Sequence, residues 1–309
     1  MIDFAVFPFN LSLADYPPAL LALCSSFFFA TASFIYRRYA IRKGVLWMNS
    51  FKATVAFFLF SLALILRGVP WAFPDLISCF LLALSGLIGL NLGDFLLLHS
   101  YKKIGSGRSL MITAFNPLVL SVVGFLVFDE RLKTEHVVAV IFMSFCVLSI
   151  GLEDFRKSKS FDFSGISYAM GAASLDATGI LITRAVFRSY PMLDPQLANW
   201  IRITGALAGF VVIHFSGRKI GLISGFLSMP IKDRGLAVFS SFLGTFFALT
   251  LWITALKYGP IGLVAAMGGF GPLYATSIEC YSQRVWPSRY LLAAALSFAI
   301  GFTFIIKTL

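Results

Sequence analysis

Ten runs of apolar residues, each near the ~20 that carry a helix across a bilayer, occupy most of this chain and leave only short gaps. They fall at approximately 17–36, 45–66, 75–98, 108–128, 136–152, 163–187, 194–215, 235–256, 260–282 and 289–307. In hydrocarbon no water satisfies backbone N–H and C=O groups, so runs of this length predict spanning helices whose hydrogen bonds are internal. The predicted class is an all-α integral membrane protein of about ten transmembrane helices. With 59% of its residues hydrophobic and 13% charged, the chain is too apolar for a water-soluble domain.

A formal charge of +11 would suit a nucleic-acid partner, but the cations lie in the gaps, in RRYAIRKG, SYKKIGSG and FRKSKS, where a topology signal explains them better. Loops after odd-numbered helices hold most of them, which by the positive-inside rule puts those loops in the cytoplasm and both termini outside. A basic cavity mouth that attracts anionic cargo produces the same asymmetry, so orientation stays open. Cys24, Cys79, Cys146 and Cys280 lie in apolar runs without C-x-x-C spacing and read as packing residues, with no zinc site or disulfide framework expected. The opening MIDFAVFPFNLSLADYPP has acids at Asp3 and Asp15 and no basic segment, so the first run reads as a retained anchor rather than a cleavable signal. No HExxH, G-x-S-x-G, Walker loop or strand-linked G-x-G-x-x-G occurs, so no cofactor, common hydrolysis or nucleotide-driven pumping is expected.

The two halves echo each other. Residues 102–117 read KKIGSGRSLMITAFNP and residues 257–272 read KYGPIGLVAAMGGFGP, so Lys102, Phe115 and Pro117 recur as Lys257, Phe270 and Pro272 at one offset. Gly89 and Gly244 share that offset, Ala30-Thr31 with Arg37 matches Ala177-Thr178 with Arg184, and Asn49-x-x-Lys52 matches Asn199-x-x-Arg202. Several matches in order predict a duplication: a first five-helix repeat at 1–152, a linker at 153–162 and a second repeat at 163–309. An odd number of crossings per half inserts the second half upside down, giving an inverted repeat and, from its geometry, alternating access.

Ala255-Leu256-Lys257-Tyr258 leading to Gly271-Pro272, and the acidic turn Asp129-Glu130 that closes the first copy, resemble the EamA-type unit of the drug/metabolite transporter superfamily. The second copy departs from that pattern with Ser282-Gln283-Arg284 in place of the acidic turn. The resemblance covers nearly the whole chain. It implies ten transmembrane helices in two inverted repeats around a central cavity, and transport as the function. Relatives usually keep both termini inside, against the charge count, and carry amino acids, nucleotide sugars, sugar phosphates or drugs, so the resemblance does not name a cargo.

Ionisable groups inside apolar runs cost ~2.5–3.5 kcal/mol at a helix centre and each calls for an account. Asp176, in AASLDATGI, reads as a cavity-facing proton or substrate group; the alternative is a carboxyl held by Ser174 or Thr178 or paired with a cation on another helix. Asp94 has Asn91 one turn earlier, and the two read either as a pathway group or as a polar pair tying helices together beside Gly89-x-x-x-Gly93. Lys52 and Arg202, each with Asn three residues before it (Asn49, Asn199), read as snorkelling cations, as a symmetric pair gripping an anionic group, or as counter-charges to Asp94 and Asp176. Asn116-Pro117 and Gly271-Pro272 are the expected helix breaks or hinges. Trp47, Trp71, Trp200 and Trp286 sit near run ends as interface anchors would, and Trp252 reads as filler or a ring for a cargo.

The function these readings favour is a secondary transporter, permease or exporter, of the cell membrane. It would move a small polar metabolite such as an amino acid, coupled to protons or by exchange, as a monomer or homodimer. Two other classes stay open. A multipass enzyme acting on lipid would need His, Asp or Glu clustered at one interface, yet the three His are scattered. A sensor or scaffold would need a soluble output module longer than any polar stretch present.

Overall fold

The computed structural model describes residues 13–69, 72–113, 116–128, 162–216, 220–283 and 288–306, with Trp286 and isolated positions between 134 and 152. Regular structure among them is helical throughout. In the first half lie α1 (Pro18–Lys43), α2 (Val45–Leu66), α3 (Leu76–Gly86), a π-helical segment π1 (Leu87–Gly93), α4 (Asp94–Ile104), α5 (Ser106–Thr113) and α6 (Asn116–Phe128). The second half holds α7 (Phe163–Ser189), α8 (Pro195–Phe215), the short α9 (Leu222–Leu227), α10 (Ile231–Ser241), π2 (Phe242–Phe247) and α11 (Ala248–Tyr258), then α12 (Ile261–Gly268), α13 (Gly271–Gln283) and α14 (Arg289–Ile306). Most of the fifth apolar run, the acidic turn Asp129-Glu130 and all but the last residue of the expected linker lie outside the described residues.

Among the described residues six stretches are long and apolar enough to cross a membrane: Pro18–Lys43, Val45–Leu66, Leu76–Ile104, Phe163–Ser189, Pro195–Phe215 and Ile231–Tyr258. Polarity is arranged as a lipid solvent requires. Phe58, Leu62, Ile65, Leu76, Ile77 and Phe80 face outward, while Ser33, Asn49, Lys52, Ser85, Asn91, Asn199 and Arg202 are buried. The chain is a multi-pass membrane protein.

Two expectations are corrected. The sequence places RRYAIRKG in a gap between helices, but α1 runs through it to Lys43 and stops at Gly44, whose φ of 99° suits glycine. Arg and Lys are good helix formers, and Arg38 and Arg42 reach Asp233 at 3.0 and 3.7 Å. Trp47, expected at the interface, is instead buried, stacked on Phe51 and donating from Nε1 to the Leu222 carbonyl at 3.2 Å. The short α9 covers it, with Gly225 leaving room for the indole. Trp286 is 91% exposed, where an interface anchor belongs.

Helix starts follow their side chains. Asp162 and Asp194 accept from backbone N–H groups at the starts of α7 and α8, and Asp75 caps α3 by accepting from Ser78 N–H at 3.3 Å. Hydrogen bonds from Ser78 and then Tyr190 hold the Asp75 carboxyl below the usual carboxylate range. A group depressed in this way stabilises the fold above its unfolded pKa of ~3.9, and that contribution is lost as pH falls through the lower folded value. Asp75→Asn should therefore lower the thermal midpoint near neutral pH and leave it unchanged at the acidic limit of folding; an equal drop at both would assign the effect to something other than charge.

The helices that matter for the site pack in a crossed pattern. α1 lies on π2, α11, α12 and α13, while α7 lies on α3, π1, α4, α5 and α6. α2 crosses α8, α6 packs on α12, and α5 packs on α13. Both halves of the chain therefore wall the same central space.

Candidate functional site

A break in the second matched stretch helps to set the shape of that space. α12 ends at Gly268 and α13 begins at Gly271, whereas residues 114 and 115, between α5 and α6, lie outside the described residues. Pro272 stands second in its new helix, where a missing N–H forfeits no intrahelical bond, so it opens a helix instead of kinking the interior of one. In this break Gly269 N–H bonds back to Ala265 and Ala266 carbonyls, at 3.0 and 3.1 Å.

Between the halves lie two adjoining compartments of about 110 and 160 Å³ that share Phe29, Thr113, Asp176, Gly244 and Leu249. The smaller is polar where Lys52 and Asp94 face it. The larger is mainly apolar, with Trp252, Leu120 and Ile180 on its wall beside Asn116, Gly271 and Pro272.

Lys52 does not snorkel. Its Nζ lies 2.5 Å from Asp94 Oδ2 and 5.2 Å from the centre of the Tyr36 ring, and the residue is 3% exposed. Tyr36 is fixed in turn by donating to the Ser240 carbonyl at 3.0 Å and by a 2.7 Å bond with Thr245 Oγ1. Asp176 stands differently. Its carboxylate is exposed to the cavity and meets only Asn116 Nδ2, at 3.5 Å, while Ser174 and Thr178 donate to carbonyls of their own helix. Among the described residues no cation lies within 4.0 Å of it.

Arg202 lies behind the wall. Its Nε donates to Ser85 Oγ at 3.0 Å and Nη1 to Asn199 Oδ1 at 3.4 Å, with the guanidinium against Gly89. Asn49, Asn91 and Asn199 bond to backbone carbonyls in and near the π segments and on the helices packed against them. A π turn leaves a carbonyl out of the i→i−4 ladder, and in lipid such a group needs a partner. Asn49 Nδ2 donates to the Asn91 carbonyl at 2.9 Å, Asn91 Nδ2 to the Ala206 carbonyl at 2.8 Å, and Asn199 Nδ2 to the Leu249 carbonyl at 3.0 Å. Asn199→Leu should therefore cost about 1–2 kcal/mol, read as a lower midpoint in denaturing-detergent titration; an unchanged midpoint would deny the bond a structural role. His99 turns to its own helix, with Nδ1 2.9 Å from the Phe95 carbonyl.

The structure thus brings Lys52, Asp94, Asp176, Asn116, Gly271 and Pro272 to one cavity, and sets Asn91, Asn199 and Arg202 in the packing behind it. Sequence reasoning did not assign Asn49 or Tyr36 to the site. The Asn-x-x-Lys/Arg match was the signal for Asn49; Tyr36 carried none. Among the described residues no group of three or more His, Cys, Asp or Glu is placed to hold a metal.

Comparison with known proteins agrees with this architecture. Residues 17–152 match the model of the EamA-like transporter family. That segment is similar to the members of this family. No curated protein matches the chain. A solved crystal structure, described simply as that of a protein, aligns with a TM-score of 0.72 at 17% identity, covering 93% of this chain and 96% of its own. At that identity the likeness shows a shared fold. The chain thus joins a segment similar to EamA-like transporters to several further apolar helices.

Proposed function

We propose that the chain is a secondary transporter of the cell membrane that moves a small polar metabolite, such as an amino acid or a related compound, by alternating access. Its working parts are two inverted five-helix repeats, 1–152 and 163–309, joined by the linker 153–162. Asp176 and Asp94 are its substrate or proton groups, Lys52 is the cation of the cavity, and the breaks at Asn116-Pro117 and Gly271-Pro272 are its hinges.

One observation carries the reading: a cavity deep between the halves, lined by an ion pair and by a carboxylate with no cation within 4.0 Å among the described residues. Charge at that depth is expensive in lipid and is characteristic of transport pathways. The pattern of contacts also supports the repeats. Exchanging α1 with α7, α5 with α12 and α6 with α13 turns the packing of α1 on α12 and α13 into that of α7 on α5 and α6. The π segments fall at the matched Gly89 and Gly244.

Counterflow tests the reading. Proteoliposomes loaded with an unlabelled compound should take up the labelled compound from outside, for at least one member of a panel of amino acids, amines, sugar phosphates and organic acids. Protein-free vesicles should not. Turnover of lipid without counterflow of any compound would favour the enzyme reading instead.

A further inference from the structure

On the carrier reading just given, the charges of the cavity point to the kind of cargo. Two carboxylates and one ammonium face it: Asp94, Asp176 and Lys52. Lys52 neutralises Asp94, whereas Asp176 has only the Asn116 amide at 3.5 Å. Arg202, the other deep cation, is held away from the cavity by Ser85 and Asn199. At contact distance Asp176 is thus the carboxylate of the wall left without an ion pair among the described residues, the field of Arg202 reaching it only from behind the wall, and the ligand that completes the site is positive. Beside Asp176 the larger compartment offers Phe29, Trp252, Leu120 and Ile180. Such a wall suits an apolar or aromatic body, and the ring faces attract a cation.

The Lys52–Asp94 pair also has somewhere to open to. Oδ1 of Asn49, three residues before Lys52 on α2, is buried and accepts from no donor among the described residues. Buried acceptors left without a partner are rare and call for an explanation. The second half of the chain supplies one. Oδ1 of Asn199 accepts from Nη1 of Arg202, again three residues on, and Leu249 stands at the place that Asp94 holds in the first half. With no acid opposite it, Arg202 rests on its asparagine; with Asp94 opposite it, Lys52 has left its own.

We propose that Asp176 and Asp94 form the seat of an amine cargo with an apolar body, whose ammonium displaces Lys52 from Asp94, and that Lys52 then donates to Oδ1 of Asn49. Lys52 is in this way a resident substitute for the cargo's own charge, which keeps Asp94 neutralised between cycles. An anionic cargo would meet two carboxylates and be repelled.

The test uses the full chain purified in detergent and three ligands that share a body and differ in charge: phenethylamine, phenethyl alcohol and hydrocinnamate. Calorimetric titration should detect the amine alone. Asp176→Asn should weaken it by about tenfold or more, and Lys52→Met, by removing the competing ammonium, should tighten it by a similar factor. Asn49→Leu should weaken the amine while Lys52 is present and have no effect on binding in the Lys52→Met background, a coupling that a merely structural asparagine would not show. Equal binding of the alcohol or the acid, or weaker amine binding in Lys52→Met, would overturn the amine seat; an Asn49→Leu effect of equal size in both backgrounds would overturn the second position of Lys52. Counterflow of a neutral or anionic cargo by protein that ignores amines would sink this proposal and leave the carrier reading standing, whereas absence of counterflow for every compound would remove the carrier reading itself.

Discussion

Asp176→Asn is expected to cut transport at sub-saturating cargo by about 10- to 100-fold, the loss that follows from giving up a charged hydrogen bond of ~1.5–3 kcal/mol. Folding should be untouched. The native carboxylate faces the cavity and has a single 3.5 Å contact with Asn116, so the amide that replaces it breaks no buried pair and removes a charge from within the membrane, where charge is costly. The thermal midpoint of the variant should accordingly equal or exceed that of the wild type. Two measurements on the same preparation, counterflow and thermal midpoint, separate the outcomes. A variant that transports normally would remove Asp176 from the pathway, and one that unfolds early would make its role structural. Asp176→Glu retains the charge and should keep part of the rate, since the compartments that meet at residue 176, about 110 and 160 Å³, leave room for one more methylene.

Much of this arrangement is legible from the sequence because lipid leaves few choices. A proline inside an apolar run is accommodated at least cost at a helix start, and the break before Gly271 falls there. Asp176 stands out for the same reason: an isolated acid among small residues is conspicuous in an apolar run. The π segments are less visible, since an apolar run looks alike whether its carbonyls bond four or five residues on. They change which way later residues point, because each wide turn admits an extra residue and rotates the helix beyond it. Asn91 and Asp94, three apart and read as one face, consequently serve different neighbours: Asn91 bonds to the Ala206 carbonyl of α8 and Asp94 to Lys52 of α2. Trp47 was misplaced because its cover, α9, is a six-residue helix in a stretch that reads as a polar gap. The match to Lys52 makes a cavity-facing Arg202 one expectation beside a snorkelling cation or a counter-charge; what separates the two residues is the one opposite, Asp94 in one half and Leu249 in the other.

Among the described glycines the tightest fit is at the crossing of α3 and α8, and substitution there should have the largest effect on stability. A Cβ on Gly86 would lie 1.7 Å from the Arg202 carbonyl oxygen, and one on Gly205 would lie 2.0 Å from that of Ala83. Neither oxygen belongs to a side chain that can swing aside, so the two helices have to separate. Small residues at such crossings let helices in lipid gain their contacts, where no hydrophobic force draws them together. Separation would also stretch the 3.0 Å bond from Arg202 Nε on α8 to Ser85 Oγ on α3, leaving a buried guanidinium short of an acceptor. Gly86→Ala and Gly205→Ala should each cost about 3 kcal/mol or more, seen as a lower midpoint in denaturing-detergent titration and a loss of monodisperse protein. Their effects should not add. Helices already pushed apart by the first methyl have made room for the second, so the double variant should recover ~0.5–3 kcal/mol relative to the sum of the single losses. Gly235→Ala on α10, where a Cβ meets nothing within 4 Å, is the control for a helical glycine replaced without a clash, and should be neutral or slightly stabilising. If Gly86→Ala matched Gly235→Ala in midpoint, α3 and α8 would not be as close as described, and the placement of Arg202 behind the cavity wall would have to be redrawn with them.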